Sequence, residues 1–403
     1  MALTRHAGEW TIEDKCQSPW HYLPVEVPPG VAALRVDLEY NKAGAGLDLG
    51  CFGPAGFRGW SGGARRSFVI TAKSATPGYL AGELEPGLWQ VVIGLHQIPA
   101  SGVRYEVSAE VSASVPRAGE AAGQPPPLVD RPPRRDLPAS DPMRWLAGDL
   151  HSHTVHSDGV LTVPELARFA VERGLDFIAI TDHNTISHHG ELPAAAAAHD
   201  IVLVPGQEVT TERGHANAFG SLPWVDFRES PDAWLTQTEE GGGLLSVNHP
   251  YGGQVAWTAP MRRRPPLIEV WHWSWLDLRW TAPLSWWLAW HPEAIGVGGS
   301  DWHRPGSDAP PGSPTTWVLS EAADPGAVLA AVGAGRVAIA ADRNGPALLR
   351  VDGELVAVGA DGAILSNCDG PRRRVSGDVA RLGDTAGYHR LTDPAGTTLA
   401  LTN

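Results

Sequence analysis

Asp149-Leu150-His151-Ser152-His153 is the stretch on which the reading of this chain turns. The apolar run Trp145 to Leu150 reads as a strand, and it ends in two histidines one residue apart. Alternate side chains of an extended strand share a face, so His151 and His153 can grip one ion at the strand's end. The pattern recurs downstream. Phe177 to Thr181 precedes Asp182 and His183, Ile201 to Gly206 precedes Glu208, and Ala216 to Gly220 follows His215. Leu244 to Val247 precedes His249, Leu267 to Val270 precedes Trp271 and His272, and Ile295 to Gly299 precedes Asp301 and His303. A lone His-x-His is more often a pair of core or surface histidines than a metal site. Seven short apolar runs that each meet a histidine or carboxylate reverse those odds, because a β/α barrel builds its site at one rim in this way.

The motifs also carry a resemblance. His151-Ser152-His153-Thr154 with Ser157-Asp158-Gly159, Thr181-Asp182-His183-Asn184, Pro205-Gly206-Gln207-Glu208, Asn248-His249-Pro250 and Ser300-Asp301-Trp302-His303-Arg304-Pro305 resemble the successive motifs of the PHP (polymerase and histidinol phosphatase) superfamily. Gly214-His215-Ala216-Asn217-Ala218 and Gly298-Gly299-Ser300-Asp301 resemble its carbaryl-hydrolase-like (CehA/McbA) branch. The resemblance runs from Trp145 to near Pro314 and implies an α/β fold, a distorted (β/α)7 TIM-like barrel holding two or three divalent metal ions. One ion would take His151, His153, Glu208 and Asp301. A second would share Glu208 and add His215 and His249, and a third would take Asp158, His183 and His303. Nitrogen and carboxylate ligands without sulfur suit Zn, Mn, Fe or Co alike. A carboxylate such as Glu208 between two ions fits a shared hydroxide as nucleophile, with the third ion or His303 stabilising the leaving group. Asp149 and Asp182 are open to two readings, orienting a ligand imidazole or capping a strand end. His156 and Asn184 are outer groups at most, and His272 matches no ligand position of the family.

Composition bounds the rest. A chain of 403 residues is long for one domain, and Gly 46 with Pro 35 describes a turn-rich globular protein. Short alternating strands from Leu34 to Val107 predict an N-terminal β-sandwich over 1–115, more a packing or dimerisation platform than a carbohydrate-binding module. A Pro-rich, extended linker follows over 116–143, then the metal-bearing barrel over 144–340 and a β-rich appendage over 341–403. Thr162 with Glu165 predicts a capped helix from Val163 to Arg173, and Pro325 to Gly333 a second. The net charge of −14 disfavours polymeric nucleic acid and favours a small-molecule substrate. Cys16, Cys51 and Cys368 lack metal-type spacing, so thiolate ligands are not expected. With no signal peptide and no membrane stretch apparent, cytoplasmic residence is the default expectation, and any homo-oligomer would form through the β-domains.

Glu208, His303 and Arg304 are the catalytic candidates. Arg304 and Arg213 can neutralise a phosphate or carboxylate, each against the alternative of a solvated loop arginine. Most of the 17 tryptophans fall between Trp224 and Trp302, which reads mainly as core. Trp302, with Trp257 and Trp271, is the candidate for an aromatic wall beside the site. The expected activity is hydrolysis of a small phosphorylated metabolite or nucleotide. Carbamate or carboxylic ester hydrolysis is the alternative, and a non-catalytic metal-loaded binding module stands third.

Overall fold

The computed structural model describes residues 2–115, 126–306, 309–367, 372–384 and 386–403. Pro116 and Pro125 of the expected linker, and Cys368, lie outside the described residues. The chain divides into two compact units: Met1–Gln124 with Val155–Asp158 and Asp182–His188, and Pro125–Thr154 with Gly159–Thr181 and His189–Asn403. Among the described residues no helix is long and apolar enough to cross a membrane.

The smaller unit is built on two four-stranded antiparallel sheets. Val25 and Val91 of one sheet and Val36 and Val107 of the other are fully buried in one hydrophobic cluster. Alternation explains this: Ala33–Tyr40 turns Leu34, Val36 and Leu38 inward and leaves Arg35 exposed. Cys51 belongs to the same core, where burial pushes its thiol up to about 12, far from ligand chemistry.

In the larger unit the seven expected runs are seven strands: Arg144–Asp149, Phe177–Ile180, Val202–Thr211, Gly214–Phe219, Leu244–Val247, Leu267–His272 and Ile295–Gly299. They lie side by side in chain order. Asp301 N–H donates to the His151 carbonyl (2.9 Å) and His153 N–H to the Trp302 carbonyl (3.0 Å), so the two ends of the run are joined. Three strands clearly outrun their expected limits: the third continues through Glu208, the fourth begins at Gly214 and so takes in His215, and the sixth includes Trp271 and His272.

Among the described residues a regular one-helix-per-strand alternation is not found. The third and fourth strands form a hairpin with Thr211 opposite Gly214, which leaves no room for a helix and makes the fourth strand antiparallel. His215 therefore lies at the start of its strand, whereas His151, His249 and Asp301 follow theirs, and it still comes within 3.2 Å of Glu208. The helix after the first strand runs Val163–Glu172, closed by the Thr162–Glu165 capping box and burying Leu166 and Ala170. Pro325–Gly333 is helical as expected. Thr315–Ser320 pairs antiparallel with the first strand, and the C-terminal strand Thr398–Thr402 joins that sheet through Val337–Ala340. Thr398–Thr402 is an interior strand there, and the sheet continues beyond it through His389–Thr392 and Ile364–Asn367.

Candidate metal centre

His151 and His153 leave the first strand on the same side, fully buried, with ring centroids 5.1 Å apart. Ser152 between them faces the other way, its hydroxyl donating to the Ala179 carbonyl (2.5 Å) and so pinning the segment to the second strand. Glu208 projects from within the third strand, fully buried, while its neighbour Gln207 turns away to bond the Val225 backbone. Asp301 comes from beyond the seventh strand with φ 51°, a left-handed conformation that Asp tolerates better than most residues. Gly299 must be glycine: a Cβ there would stand 2.4 Å from Glu269 Oε1 and from His151 Cβ.

These groups converge. Asp301 Oδ1 lies 2.9 Å from His153 Nε2 and 3.1 Å from His151 Nε2. Glu208 Oε1 lies 3.3 Å from His151 Nε2, 3.2 Å from His215 Nδ1 and 3.3 Å from His249 Nε2, and Oε2 lies 3.5 Å from His153 Nε2. His303 stacks on His153 at 4.1 Å, and its Nδ1–H donates to the Asp301 carbonyl (2.7 Å). Asp158 and His183, the other expected ligands, pair at 3.5 Å within the smaller unit.

The donor set fits divalent cations. His151 Nε2 and His249 Nδ1 are buried without a hydrogen-bond partner among the described residues. Two carboxylate oxygens stand 3.1 and 3.3 Å from His151 Nε2, out of hydrogen-bond alignment. Lone pairs that point past one another at a shared centre cost free energy in a dry interior, and a cation at that centre removes the cost.

Two further side chains complete the centre. Glu269, nearly fully buried, holds His151 Nδ1 at 2.9 Å and accepts the His249 N–H at 2.9 Å. This is the carboxylate–histidine arrangement that fixes the ring and frees Nε2 for a metal. His272 Nε2 lies 3.1 Å from Asp301 Oδ2, with the Trp273 indole N–H 3.5 Å from the same oxygen. Ser274 N–H donates to His272 Nδ1 (3.2 Å), and because a backbone hydrogen cannot rotate away, Nε2 carries the ring proton toward Asp301. The sixth strand slips register between Glu269 and Trp271. That irregularity turns both Glu269 and His272 toward the site, three residues apart, and sends Trp271 into a cluster with Trp275 and Trp287. His272→Ala should lower metal affinity by roughly 10- to 100-fold and His272→Gln, which keeps a donor, by much less; equilibrium dialysis of both variants checks this.

The remaining candidates fall elsewhere. Asp149 takes the capping alternative: it accepts the backbone N–H groups of His151 (3.0 Å), Ser300 (3.0 Å) and Gly312 (2.8 Å). Asp182 accepts from Ser157 and lies 3.2 Å from His188 Nδ1. Trp302 is 1% exposed and packs with Val163, Leu166 and Phe169, so its indole belongs to the core and forms no substrate wall. Trp257 and Trp271 are buried as well. The tryptophan at the centre's edge is Trp273, 40% exposed. Arg213 is exposed and donates to the Thr258 carbonyl (3.4 Å), and Arg304 lies exposed directly after His303.

Burial of Glu208, Glu269 and Asp301 shapes the protonation of the site. Desolvation opposes charge on His151, but Asp301, Glu208 and Glu269 together hold its pKa well above the usual value. Desolvation would raise Asp301, yet His151, His153 and His272 hold it well below the carboxylate range. A proton on His151, and on His249, is therefore favoured when no cation is bound, and a binding cation must displace it. Since the raised His151 pKa favours the protonated ring, metal affinity falls as pH drops through that pKa and rises above it. Calorimetric titration in buffers of different ionisation enthalpy should register net proton release on metal binding near pH 7.

This geometry coincides with a family signature. Residues 149–249 match the PHP domain. The PHP match and the His/Asp/Glu cluster both indicate divalent-metal binding. The chain is 28% identical over 117 residues to an uncharacterized protein of Methanocaldococcus jannaschii, covering 26% of this chain and 68% of that one. It is 41% identical over 63 residues to a 5'-3' exoribonuclease of Haemophilus influenzae, 16% of this chain and 23% of the relative. Among solved structures, a two-domain protein of Bacteroides vulgatus containing a predicted PHP-like metal-dependent phosphoesterase aligns with TM-score 0.44 and 18% identity, over 68% of this chain and 99% of that one.

Glu269 and Trp273 carry no role in the sequence reading, and His272 enters it only as matching no ligand position of the family. The first had a usable signal: one carboxylate inside the apolar run Leu267-Ile268-Glu269-Val270 needs a buried partner. The other two depend on a register slip that no spacing rule reveals.

Proposed function

We propose that this protein is a metal-dependent hydrolase of phosphoesters, acting on a small phosphorylated metabolite or nucleotide. The observation that carries the reading is the convergence of His151, His153, Glu208, His249 and Asp301, with His151 Nε2 at its middle lacking a hydrogen-bond partner among the described residues. The seven joined strands are read as a PHP barrel and the two N-terminal sheets as a β-sandwich. His151, His153, Glu208 and Asp301 would hold one cation and Glu208, His215 and His249 a second, while Asp158 and His183 of the smaller unit are the candidates for a third. Zn, Mn, Fe and Co all suit these donors. Such cations supply an ionised water near neutral pH and neutralise phosphate charge. Two dications would exceed the three negative charges of Glu208, Glu269 and Asp301, leaving a positive centre that suits an anion. The exoribonuclease relative, though matched over a short segment, supports attack at phosphorus.

The chain's own groups complete the site. Glu269 and His272 orient His151 and Asp301, His303 faces the site with Nδ1–H tied to a carbonyl, and exposed Arg304 can meet the anion from solvent. The sequence likeness to the carbaryl-hydrolase-like branch makes carbonyl attack the competing chemistry. Protein loaded separately with Mn and Zn is offered p-nitrophenyl phosphate, bis-p-nitrophenyl phosphate, nucleoside monophosphates and 1-naphthyl N-methylcarbamate. Turnover of a phosphoester is expected; turnover of the carbamate alone would overturn the reading. Arg304→Ala should raise KM for the phosphoester several-fold with little change in kcat, and steady-state kinetics identical to wild type would remove it from substrate binding.

A further inference from the structure

Asp158 and His183 sit on loops that follow the first and second strands of the larger unit, yet their segments, Val155–Asp158 and Asp182–His188, pack as part of the smaller unit. What holds them there is specific. Arg65, just before the strand Ser67–Thr71, donates to the carbonyls of both Val155 and Ser157, the latter at 3.0 Å. Gly78 N–H donates to Ser187 Oγ (3.0 Å), and Thr185 Oγ1 donates to the Gly78 carbonyl (2.9 Å). Gly78 has φ 99°, and a Cβ there would stand 2.8 Å from the Trp60 carbonyl and 3.0 Å from that of His156. Asp182 ties the two segments together by accepting the Ser157 N–H (3.0 Å) and hydroxyl (2.6 Å).

The chemistry of the pair requires such a frame. The Asp158 side chain is 46% exposed and that of His183 22%, so neither is fixed by packing as His151 and Glu208 are. Two partly solvated ligands form a cation site only if their backbones are held, and a guanidinium bonded to two carbonyls of one segment is a rigid fork suited to that.

We propose that the N-terminal sheets frame a cation site within the smaller unit: Arg65 and Gly78 are positioning residues that decide whether an ion is held at Asp158 and His183. The proposal rests on the metal-dependent reading above but is tested by metal content, so the failure of one is distinguishable from the failure of the other. Full-length wild type, Arg65→Met, Arg65→Lys, Asp158→Ala and Val36→Ala are loaded with Co(II), desalted and analysed for metal per chain and for visible absorption. Asp158→Ala and Arg65→Met should each lose one ion relative to wild type, with the same bands missing from both spectra. Arg65→Lys should retain part of that ion, because one carbonyl can still be bonded. Val36→Ala, which damages the same unit's core without touching either segment, should keep the full complement. Arg65→Met with wild-type metal content, Asp158→Ala with wild-type content, or equal loss in Val36→Ala would each overturn the proposal. Should Arg65→Met not fold, Thr185→Val combined with Ser187→Ala takes its place with the same expected loss. Full metal content with no hydrolysis of any phosphoester would sink the phosphoesterase reading and leave this one standing.

Discussion

Asp301→Asn should lower kcat/KM for a phosphoester by about 10³-fold or more, a loss of about 4 kcal/mol of transition-state stabilisation. The substitution keeps the side chain's shape, and asparagine accepts the φ of 51° that alanine would resist. What it removes is charge. Asp301 Oδ1 faces His151 and His153 while Oδ2 is held by His272, so one oxygen is left for a cation and the other is anchored. An amide in that place offers a weaker ligand and no charge to offset a dication. His151→Ala should act as strongly, since it deletes the imidazole whose Nε2 stands within 3.3 Å of both Glu208 and Asp301. Metal analysis alongside the kinetics is the check. Asp301→Asn protein that keeps its metal and more than a tenth of wild-type activity would mean that the chemistry lies elsewhere.

How much of this could be read beforehand depends on what kind of information each feature needs. The seven strands of the larger unit are legible because each is a short apolar run that ends where a polar ligand begins, and burial dictates both halves of that signal. Three strands of the smaller unit, Ala2–Trp10, Trp20–Val27 and Gly56–Gly62, escaped notice, and each lies at the edge of its sheet. Edge strands tolerate what central ones do not: Pro24 sits inside Trp20–Val27, Ala2–Trp10 is mostly exposed, and Gly56–Gly62 carries three glycines. The alternating pattern that marks a strand is weak where only one neighbour must be satisfied.

The site divides along the same line. His151, His153, Glu208, His249 and Asp301 follow from spacing and from the motifs they occupy. Trp302 was misplaced because it stands between Asp301 and His303, and alternation sends it away from the face that those two share. His272 was set aside because it matches no ligand position of the family; strict alternation from Glu269 would also turn it away from the site, and the register slip reverses its facing. Long-range facts of this kind, including the hold of Arg65 on the Val155–Ser157 backbone, are set by tertiary packing and leave no local trace.

Glu208→Gln should abolish the metal-induced rise in melting temperature while leaving the cation-free protein at least as stable as wild type. Glu208 reaches both groups of imidazoles: Oε1 faces His151, His215 and His249, and Oε2 faces His153. Cations bound there stabilise the native state by mass action, by about 2.7 kcal/mol for each site at a hundred times its Kd. Glutamine has nearly the same volume and can still accept the bond that Asn248 Nδ2 makes to Oε1 at 2.9 Å, so packing survives. Without cations the sign changes. Glu208 is then one of three carboxylates, with buried Glu269 and mostly buried Asp301, drawing protons onto His151 and His249. Neutralising it removes a buried charge whose desolvation is expensive. The raised pKa of His151 means that its protonation stabilises the wild-type cation-free fold fully below the ordinary histidine value, and that this contribution is lost as pH rises through the folded-state value. In Glu208→Gln that pH dependence should flatten, because a main partner of the imidazolium is gone. Thermal melts from pH 5 to 9, with and without Mn(II), measure both effects at once. A metal-induced shift in Glu208→Gln equal to that of wild type would show that the carboxylate is not a ligand.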